Sequence, residues 1–282
     1  MAILVDYSAV AVASCVLAST KNVSIDKNYA RHLILNIIRS VRKKFYSEYG
    51  EIILCVDSKK YWRKDIFPYY KASRKAARKE STLDWSSLFE IIDTIQVEIE
   101  LNFPYKVIKV DNVEADDIIG VIAIREPGPH MIVSNDKDFK QLQKIPGVAM
   151  YSPNMSSIVK CDNPDTFLIE HILRGDQSDG IPNVLSDDDT FVVSGKRQKR
   201  LTEAKVREWS ISVPEHVFQD EILENYYRNE RLISLFKIPD DIAENIHNAF
   251  KNKQVTGKRG MKLMKYFMDN SLRNLMEDIN EF

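Results

Sequence analysis

Ile52-Ile53-Leu54-Cys55-Val56-Asp57 is a run of five apolar residues that stops on an acid. It is short, β-branched and without alternation, which reads as a strand buried on both faces. The same form recurs on either side. Ile3-Leu4-Val5 stops at Asp6, and Met131-Ile132-Val133 runs through Ser134-Asn135 to Asp136. Between these runs lie segments with apolar residues at helical spacing. Residues 29–46 place Leu33, Ile34, Ile37, Ile38, Val41 and Phe45 on one stripe, 85–101 read as a second helix, and 114–124 as a third, capped by Asp111 or Asn112. Residues 105–110 read as another strand, and 148–151 with Ile158-Val159 as short final ones. Apolar strands separated by helices predict an α/β fold, a mainly parallel sheet with flanking helices. Open sheets of this type bind ligands at the carboxyl ends of their strands. Asp6, Asp57 and Asp136 all fall there.

The chain has 282 residues, enough for one large domain or two modest ones. Hydrophobic residues make up 44 % and charged residues 29 %, a soluble, globular balance. The formal net charge of −1 names no partner, but acids and bases are segregated along the chain. Cys15, Cys55 and Cys161 have neither metal-ligand spacing nor a disulfide framework, as expected of thiols in a reducing cytoplasm. Residues 9–18 are small and apolar, and Val12-Ala13-Ser14-Cys15 imitates a cleavage site. No basic residue precedes them and Asp6 interrupts the run, so a leader peptide is not expected. No stretch reads as a membrane span. From about residue 166 the strand signals fade and helical patterns such as 220–235 and 240–250 take over. The predicted division is 1–165 for the α/β domain and 166–282 for a smaller helical region.

The acids at the strand ends have company. Glu114-Ala115-Asp116-Asp117 opens a helix, Asp136-Lys137-Asp138 follows a strand, and Asp176-Gln177-Ser178-Asp179 lies in a turn-rich stretch. Each acid by itself fits an ordinary role as a helix cap or turn residue. Together they fall one after another where an α/β active site belongs. Hard cations such as Mg²⁺ take oxygen ligands. Two of them about 4 Å apart can clamp the attacking and leaving oxygens of a phosphodiester. Without cations so many neighbouring carboxylates repel one another and some take up protons. Ideal helix geometry puts Glu114 and Asp117 on one face and turns Asp116 away, which leaves open which aspartate meets a metal.

Residues 59–79 hold nine Lys or Arg and one acid, interleaved with Tyr61, Trp62, Phe67, Tyr69 and Tyr70. Basic side chains hold phosphates and aromatic rings stack on unpaired bases. Coming directly after Asp57, this segment is expected to overhang the acids. Residues 196–207 carry six basic residues and one acid, and 251–265 carry six and none. A solvated surface is the ordinary reading of such runs, yet their place in the helical region suits a second contact with duplex backbone. His32, His130, His171, His216 and His247 form no ligand pattern and are read as structural.

In order, the motifs Leu4-Val5-Asp6, Leu54-Cys55-Val56-Asp57, Tyr61-Trp62-Arg63-Lys64-Asp65, Tyr69-Tyr70-Lys71-Ala72-Ser73-Arg74, Glu114-Ala115-Asp116-Asp117, Ser134-Asn135-Asp136-Lys137-Asp138-Phe139 and Gly175-Asp176-Gln177-Ser178-Asp179-Gly180-Ile181-Pro182 span nearly the whole chain. This series resembles the flap endonuclease, or 5′ nuclease, family, and its phage members most. The resemblance implies a PIN-like core, a basic arch near 59–82 and a helix–three-turn–helix module gripping duplex DNA. It implies a 5′-3′ exonuclease and flap endonuclease that removes RNA primers and 5′ flaps during replication in the cytoplasm of a phage-infected bacterium. It further implies two Mg²⁺ ions, with Mn²⁺ as a substitute. Asp6, Asp57, Asp116 and Asp136 would serve the first, Asp138, Asp176 and Asp179 the second, and Glu114 and Asp117 would be ligands or lie behind them. Lys71 and Arg74 would act on the scissile phosphate, and Tyr70 would stack near the flap junction. Arg63, Lys64, Lys75 and Arg78 in the arch, and Lys196, Arg197, Lys199 and Arg200 beyond it, would bind nucleic acid. Implied partners are DNA and RNA–DNA hybrids with 5′ ends or flaps, a single-stranded-DNA-binding protein and a sliding clamp. A monomer is expected.

One stretch departs from the family pattern. A glycine-rich hairpin that binds duplex backbone and often a potassium ion usually follows the last aspartates. Here Asn183 and then Ser186-Asp187-Asp188-Asp189 stand in its place. An acidic hairpin repels phosphate, so the basic run from Lys196 is expected to grip instead. Competing readings are a non-catalytic junction-binding protein on the same scaffold and a PIN-type ribonuclease. The complete acid set disfavours the first, and the arch and helical region the second. A phosphatase with Asp6 as nucleophile lacks its Asp-x-Asp pair.

Overall fold

The apolar runs pair edge to edge in one six-stranded sheet. A computed structural model describes residues 1–19 and 25–282. In chain order the first half is β1 (Ala2–Asp6), α1 (Tyr7–Ala18), α2 (Lys27–Tyr49), β2 (Ile52–Val56), α3 (Arg63–Ile66), α4 (Ala72–Glu80), α5 (Trp85–Asn102), β3 (Lys106–Lys109), α6 (Ala115–Arg125), β4 (His130–Val133), β5 (Val148–Ser152) and β6 (Ser157–Val159). The second half comprises α7 (Pro164–Arg174), α8 (Glu203–Ser210), α9 (Pro214–Val217), α10 (Asp220–Ile233), α11 (Asp240–Asn252), α12 (Met261–Asp269) and α13 (Arg273–Met276). The strand order is β3-β2-β1-β4-β5-β6, with β1 to β5 parallel and β6 turned back antiparallel on β5.

β1 lies between β2 and β4, with Val5 opposite both Leu54 and Val133. The three strands that lead to Asp6, Asp57 and Asp136 are therefore neighbours, and their carboxyl ends share one edge. Side chains alternate across the sheet. Ile3, Val5, Leu54 and Val133 pack beneath α1, α2 and α5, while Leu4, Ile53, Cys55 and Ile132 pack beneath α6 and α11. Every residue of β1 and β2 is buried, which is why these strands are unbroken apolar runs.

The residues beyond 166 complete both sheet-face cores. Leu235, Ala243 and Ile246 join the α6 face. Leu263, Tyr266, Phe267 and Phe282 join the other, where Phe103 meets Tyr266, Phe267 and Phe282 at ring distances of 5.3 to 5.9 Å. A third cluster joins α7, α8 and α10 to Phe67 and Tyr70.

The small apolar stretch after Asp6 is a helix, α1, with Asp6 as its cap through Ala9 N–H. One expectation is corrected. The cap of α6 is Glu114, not Asp111 or Asn112. Glu114 and Asp117 form a reciprocal capping box.

The turn after α7 bears directly on the acids. Gly175 adopts φ +67°, and a Cβ there would strike the backbone of Ile181 and Pro182. Gly175→Ala is expected to cost about 1–3 kcal/mol of stability through overpacking and left-handed strain. A urea midpoint equal to that of the parent chain would contradict this close packing.

Candidate active site

Asp6, Asp57, Asp116 and Asp136 line one cleft of about 1310 Å³, together with Lys71 and Arg74. Three of these acids are aimed by hydrogen bonds. Asp6 accepts from Ala9 N–H at 3.0 Å and from the Ser134 hydroxyl at 2.8 Å. Asp57 accepts from Ala115 N–H at 2.7 Å, which ties the end of β2 to the start of α6. Asp136 accepts from Asp138 N–H at 2.9 Å, and its own N–H donates to Ser134 at 3.1 Å. Ser134, which sequence reasoning did not single out, thus joins two of the acids.

Among Glu114, Asp116 and Asp117, the one that reaches the cleft is Asp116. Glu114 and Asp117, expected as ligands or as groups behind them, do not line the cleft and are ion-paired instead. Arg63 Nη1 lies 3.0 Å from Glu114 Oε2, and Arg63 Nη2 lies 2.7 Å from Asp117 Oδ1. Trp62 Nε1–H donates to Asp117 at 3.0 Å. Arg63 itself, expected on nucleic acid, is 2 % exposed and donates from Nε to Leu232 O. Its burial removes it from any phosphate. Tyr70, expected to stack at the flap junction, is also 2 % exposed, with its hydroxyl 2.9 Å from Glu114 and 3.0 Å from Asp179. Trp62 and Phe67 are buried as well, so three of the five interleaved aromatics are core.

Lys71 and Arg74 stand over the cleft and are held by acids. Lys71 Nζ lies 2.5 Å from Glu114 and 3.5 Å from Asp179, and Arg74 is ion-paired with Asp179. Lys71 adopts φ +55°, and its N–H donates to Asp179 O at 2.7 Å. That bond offsets part of the left-handed strain, about 1–2 kcal/mol for a residue with a Cβ. Lys64 and Arg78 are exposed, and the Arg78 guanidinium lies 5.1 Å from the Trp85 ring and 4.9 Å from Phe89. The backbone of Lys75 lies in α4, and its side chain is outside the described residues.

Asp138 and Asp176 meet around His171. His171 Nε2 is 3.0 Å from Asp176 Oδ2, and Nδ1 is 3.4 Å from Asp138 Oδ1. Read from the sequence as structural, this histidine is a component of the acid group. Its position five residues before Asp176, across a helix end, was the available signal.

The acidic 186–189 stretch is also corrected. Asp187 pairs with Lys196 at 2.7 Å and Lys199 at 3.2 Å, Asp189 with Lys196, and Asp188 with Arg228. These acids are answered within the fold, so Lys196 and Lys199 are only partly available to phosphate. Arg197 and Arg200 are exposed, with no ion pair among the described residues.

The electrostatics separate two kinds of acid. Burial, then the charge of Asp57, pushes the Asp6 carboxyl up to about 7. Burial, then Asp136 and Asp6, holds Asp116 well above the carboxylate range. Burial, then Asp136, pushes Asp138 up to about 7. Burial also raises Asp57, although Ala115 N–H and Lys71 oppose it. Burial acts against Glu114 and Asp176 too, but bonded cations and donors outweigh it, and both are held low. A crowd of buried oxygen donors that resists ionisation is the state divalent cations relieve. The donor set therefore fits hard metal ions.

The model for the 5′-3′ exonuclease N-terminal resolvase-like domain matches residues 3–167, and that for the T4 RNase H C-terminal region matches 162–282. Ribonuclease H of Enterobacteria phage T4 is 34 % identical over 99 % of this chain and 95 % of its own length. The chain belongs to the 5′-3′ exonuclease family. It is thus a 5′ nuclease, as its motifs led one to expect. The family fold is also found in solved phage T5 structures. A 5′-exonuclease with zinc bound is similar with a TM-score of 0.61 at 18 % identity, covering 96 % of this chain and 99 % of that one. A flap endonuclease complex with DNA and metal ions gives 0.63 at 16 %, covering 96 % and 98 %.

The raised acids fix a sign. Unfolded aspartates titrate near 3.8, whereas Asp6 and Asp138 titrate at about 7 in the fold. Their contribution to the stability of cation-free protein is full below about 4 and is lost as pH rises toward 7. Glu114 and Asp176, held low, matter only below their ordinary range. In EDTA, Asp6→Asn should therefore gain melting temperature relative to the parent as pH goes from 5 to 8. A difference that shrinks over that interval would refute the assignment.

Proposed function

We propose that the chain hydrolyses phosphodiester bonds near the 5′ end of a strand annealed to a template, with RNA primers on DNA and 5′ flaps as substrates and Mg²⁺ as the working ion. The observation that carries this reading is the convergence of Asp6, Asp57, Asp116 and Asp136 from separate elements into a cleft that Lys71 and Arg74 overhang. These four acids would hold one ion and Asp138, Asp176 and Asp179 a second, with Mn²⁺ an acceptable substitute. Bound there, divalent cations supply Lewis acidity to the scissile phosphate and its attacking water.

The chain's own groups do the rest. Lys71 and Arg74 offset charge that builds on the phosphate, which requires them to exchange Glu114 and Asp179 for the substrate. Glu114, Asp117 and Arg63 act as positioning residues that turn Asp116 toward the cleft. Residues 1–165 carry the first ion's acids and the basic arch, while 166–282 supply Asp176 and Asp179 and the duplex-holding surface, in which exposed Arg197 and Arg200 meet backbone phosphates.

Cleavage of 5′-labelled flap, nicked and RNA–DNA substrates in Mg²⁺ against EDTA tests the reaction. Asp136→Asn is expected to abolish turnover while leaving DNA binding largely intact, and full cleavage by that variant would sink the proposal. Binding should weaken with salt at a slope of about −0.9 in log K per phosphate neutralised. Arg197→Ala and Arg200→Ala should each reduce the slope by about that amount. Unchanged slopes in both would move the duplex contact elsewhere.

A further inference from the structure

His171 ends the second acid group in a way the family motifs do not describe. Its side chain is 6 % exposed and lies in the last turn of α7. Its two ring nitrogens face different carboxylates. Nε2 is 3.0 Å from Asp176 Oδ2. Asp176 is held as an acceptor by Ser178 N–H at 2.7 Å, by the Ser178 hydroxyl at 2.6 Å and by Lys137 Nζ at 3.0 Å. An ionised carboxylate only accepts, so the proton between the two groups sits on Nε2. That leaves Nδ1 with its lone pair outward.

Nδ1 faces Asp138 Oδ1 at 3.4 Å. Both atoms are buried, and neither has a hydrogen-bond partner among the described residues. Two acceptors opposed in a buried site need either a shared proton or a metal ion between them. The separation is longer than an ordinary hydrogen bond to nitrogen or oxygen. It falls near the edges of coordination shells, where ligands about 2.1 Å from the ion stand about 3.0 Å apart in an octahedron and about 3.4 Å apart in a tetrahedron. A histidine that ligates a metal through one nitrogen commonly donates its other N–H to a carboxylate, which fixes tautomer and ring orientation. Asp176 stands in that position. The remaining histidines are occupied or distant: His130 bonds Glu126 O and His247 bonds the Glu126 carboxylate.

We propose that His171 Nδ1 ligates a divalent cation together with Asp138 Oδ1, with Asp176 fixing the imidazole tautomer. This rests on the two-ion reading of the proposed function. It makes the second position a mixed nitrogen–oxygen site, whereas Asp6, Asp57, Asp116 and Asp136 offer oxygen alone. Imidazole favours borderline ions, so this position selects Mn²⁺, Co²⁺ or Zn²⁺ over Mg²⁺ more strongly than the first.

The test is a binding and spectroscopic one on the full chain. Mn²⁺ is titrated to saturation, and electron spin-echo envelope modulation is recorded with natural and ¹⁵N-labelled histidine. A directly bound imidazole gives nitrogen modulation that changes on labelling. In His171→Gln, with its fold checked by circular dichroism, that modulation should vanish. The weaker of the two Mn²⁺ affinities should drop about tenfold or more, with Mg²⁺ affinity, read by competition, changing much less. The labelled parent chain carries the test even where His171→Gln fails to fold. Two bound Mn²⁺ without label-sensitive modulation would overturn the imidazole ligand and leave the two-ion reading standing. Equal losses for Mn²⁺ and Mg²⁺ would reduce His171 to a packing role and overturn the proposal. Absence of bound Mn²⁺ would overturn both.

Discussion

A buried guanidinium organises this site. Arg63 gives up its water to bind Glu114, Asp117 and Leu232 O at once. Losing hydration is expensive for any ion, and a buried pair is tolerated only when the remaining donors and lone pairs are satisfied. Here Trp62, Tyr70 and Lys71 complete the set. The result locks three regions together. α3 is pinned to the start of α6, α6 is rotated so that Asp116 faces the cleft, and the end of α10 is drawn in through Leu232. The acids of the cleft can remain crowded and incompletely compensated because their neighbours one turn away are fully compensated.

The hydrogen bonds that aim the acids are ordinary ones. Asp6 caps α1, Asp136 caps the 3-10 turn at Lys137–Lys144, and Asp176 caps Gln177–Asp179. Asp6, Asp136 and Asp176 are caps, and that role is compatible with the functional reading proposed for the set. A carboxylate has two oxygens and about four lone-pair directions. Using one on a backbone N–H stiffens the group and leaves others free for the cleft.

The sheet and its acids were legible in the sequence because strands buried on both faces must be apolar throughout, so their ends are marked. The period of α6 separated Asp116 from Asp117 but carried no information on which side the cleft lay; Arg63 decides that, and it comes from 51 residues before Glu114. The basic, aromatic stretch after Asp57 misled for the same reason. Composition cannot tell a phosphate-facing Arg from one that serves a buried pair, nor a stacking Tyr70 from a core Tyr70. The acidic 186–189 run looked repulsive until Lys196, Lys199 and Arg228 folded onto it. His171 was missed because its nearness to Asp176 in sequence says nothing of Asp138, which reaches it only through the packing of α7 on the segment after β4.

Lys71 and Arg74 are not idle charges waiting for a ligand. An arriving phosphate must take them from Glu114 and Asp179, so the affinity it experiences is that of an exchange. The displaced carboxylates then favour any cation within reach. Under the chemistry proposed for this cleft, phosphate and divalent ion are heterotropic ligands, each raising the other's affinity by the same factor. Phosphate alone meets cations already balanced against it, which under that chemistry gives the resting protein a built-in indifference to free phosphate.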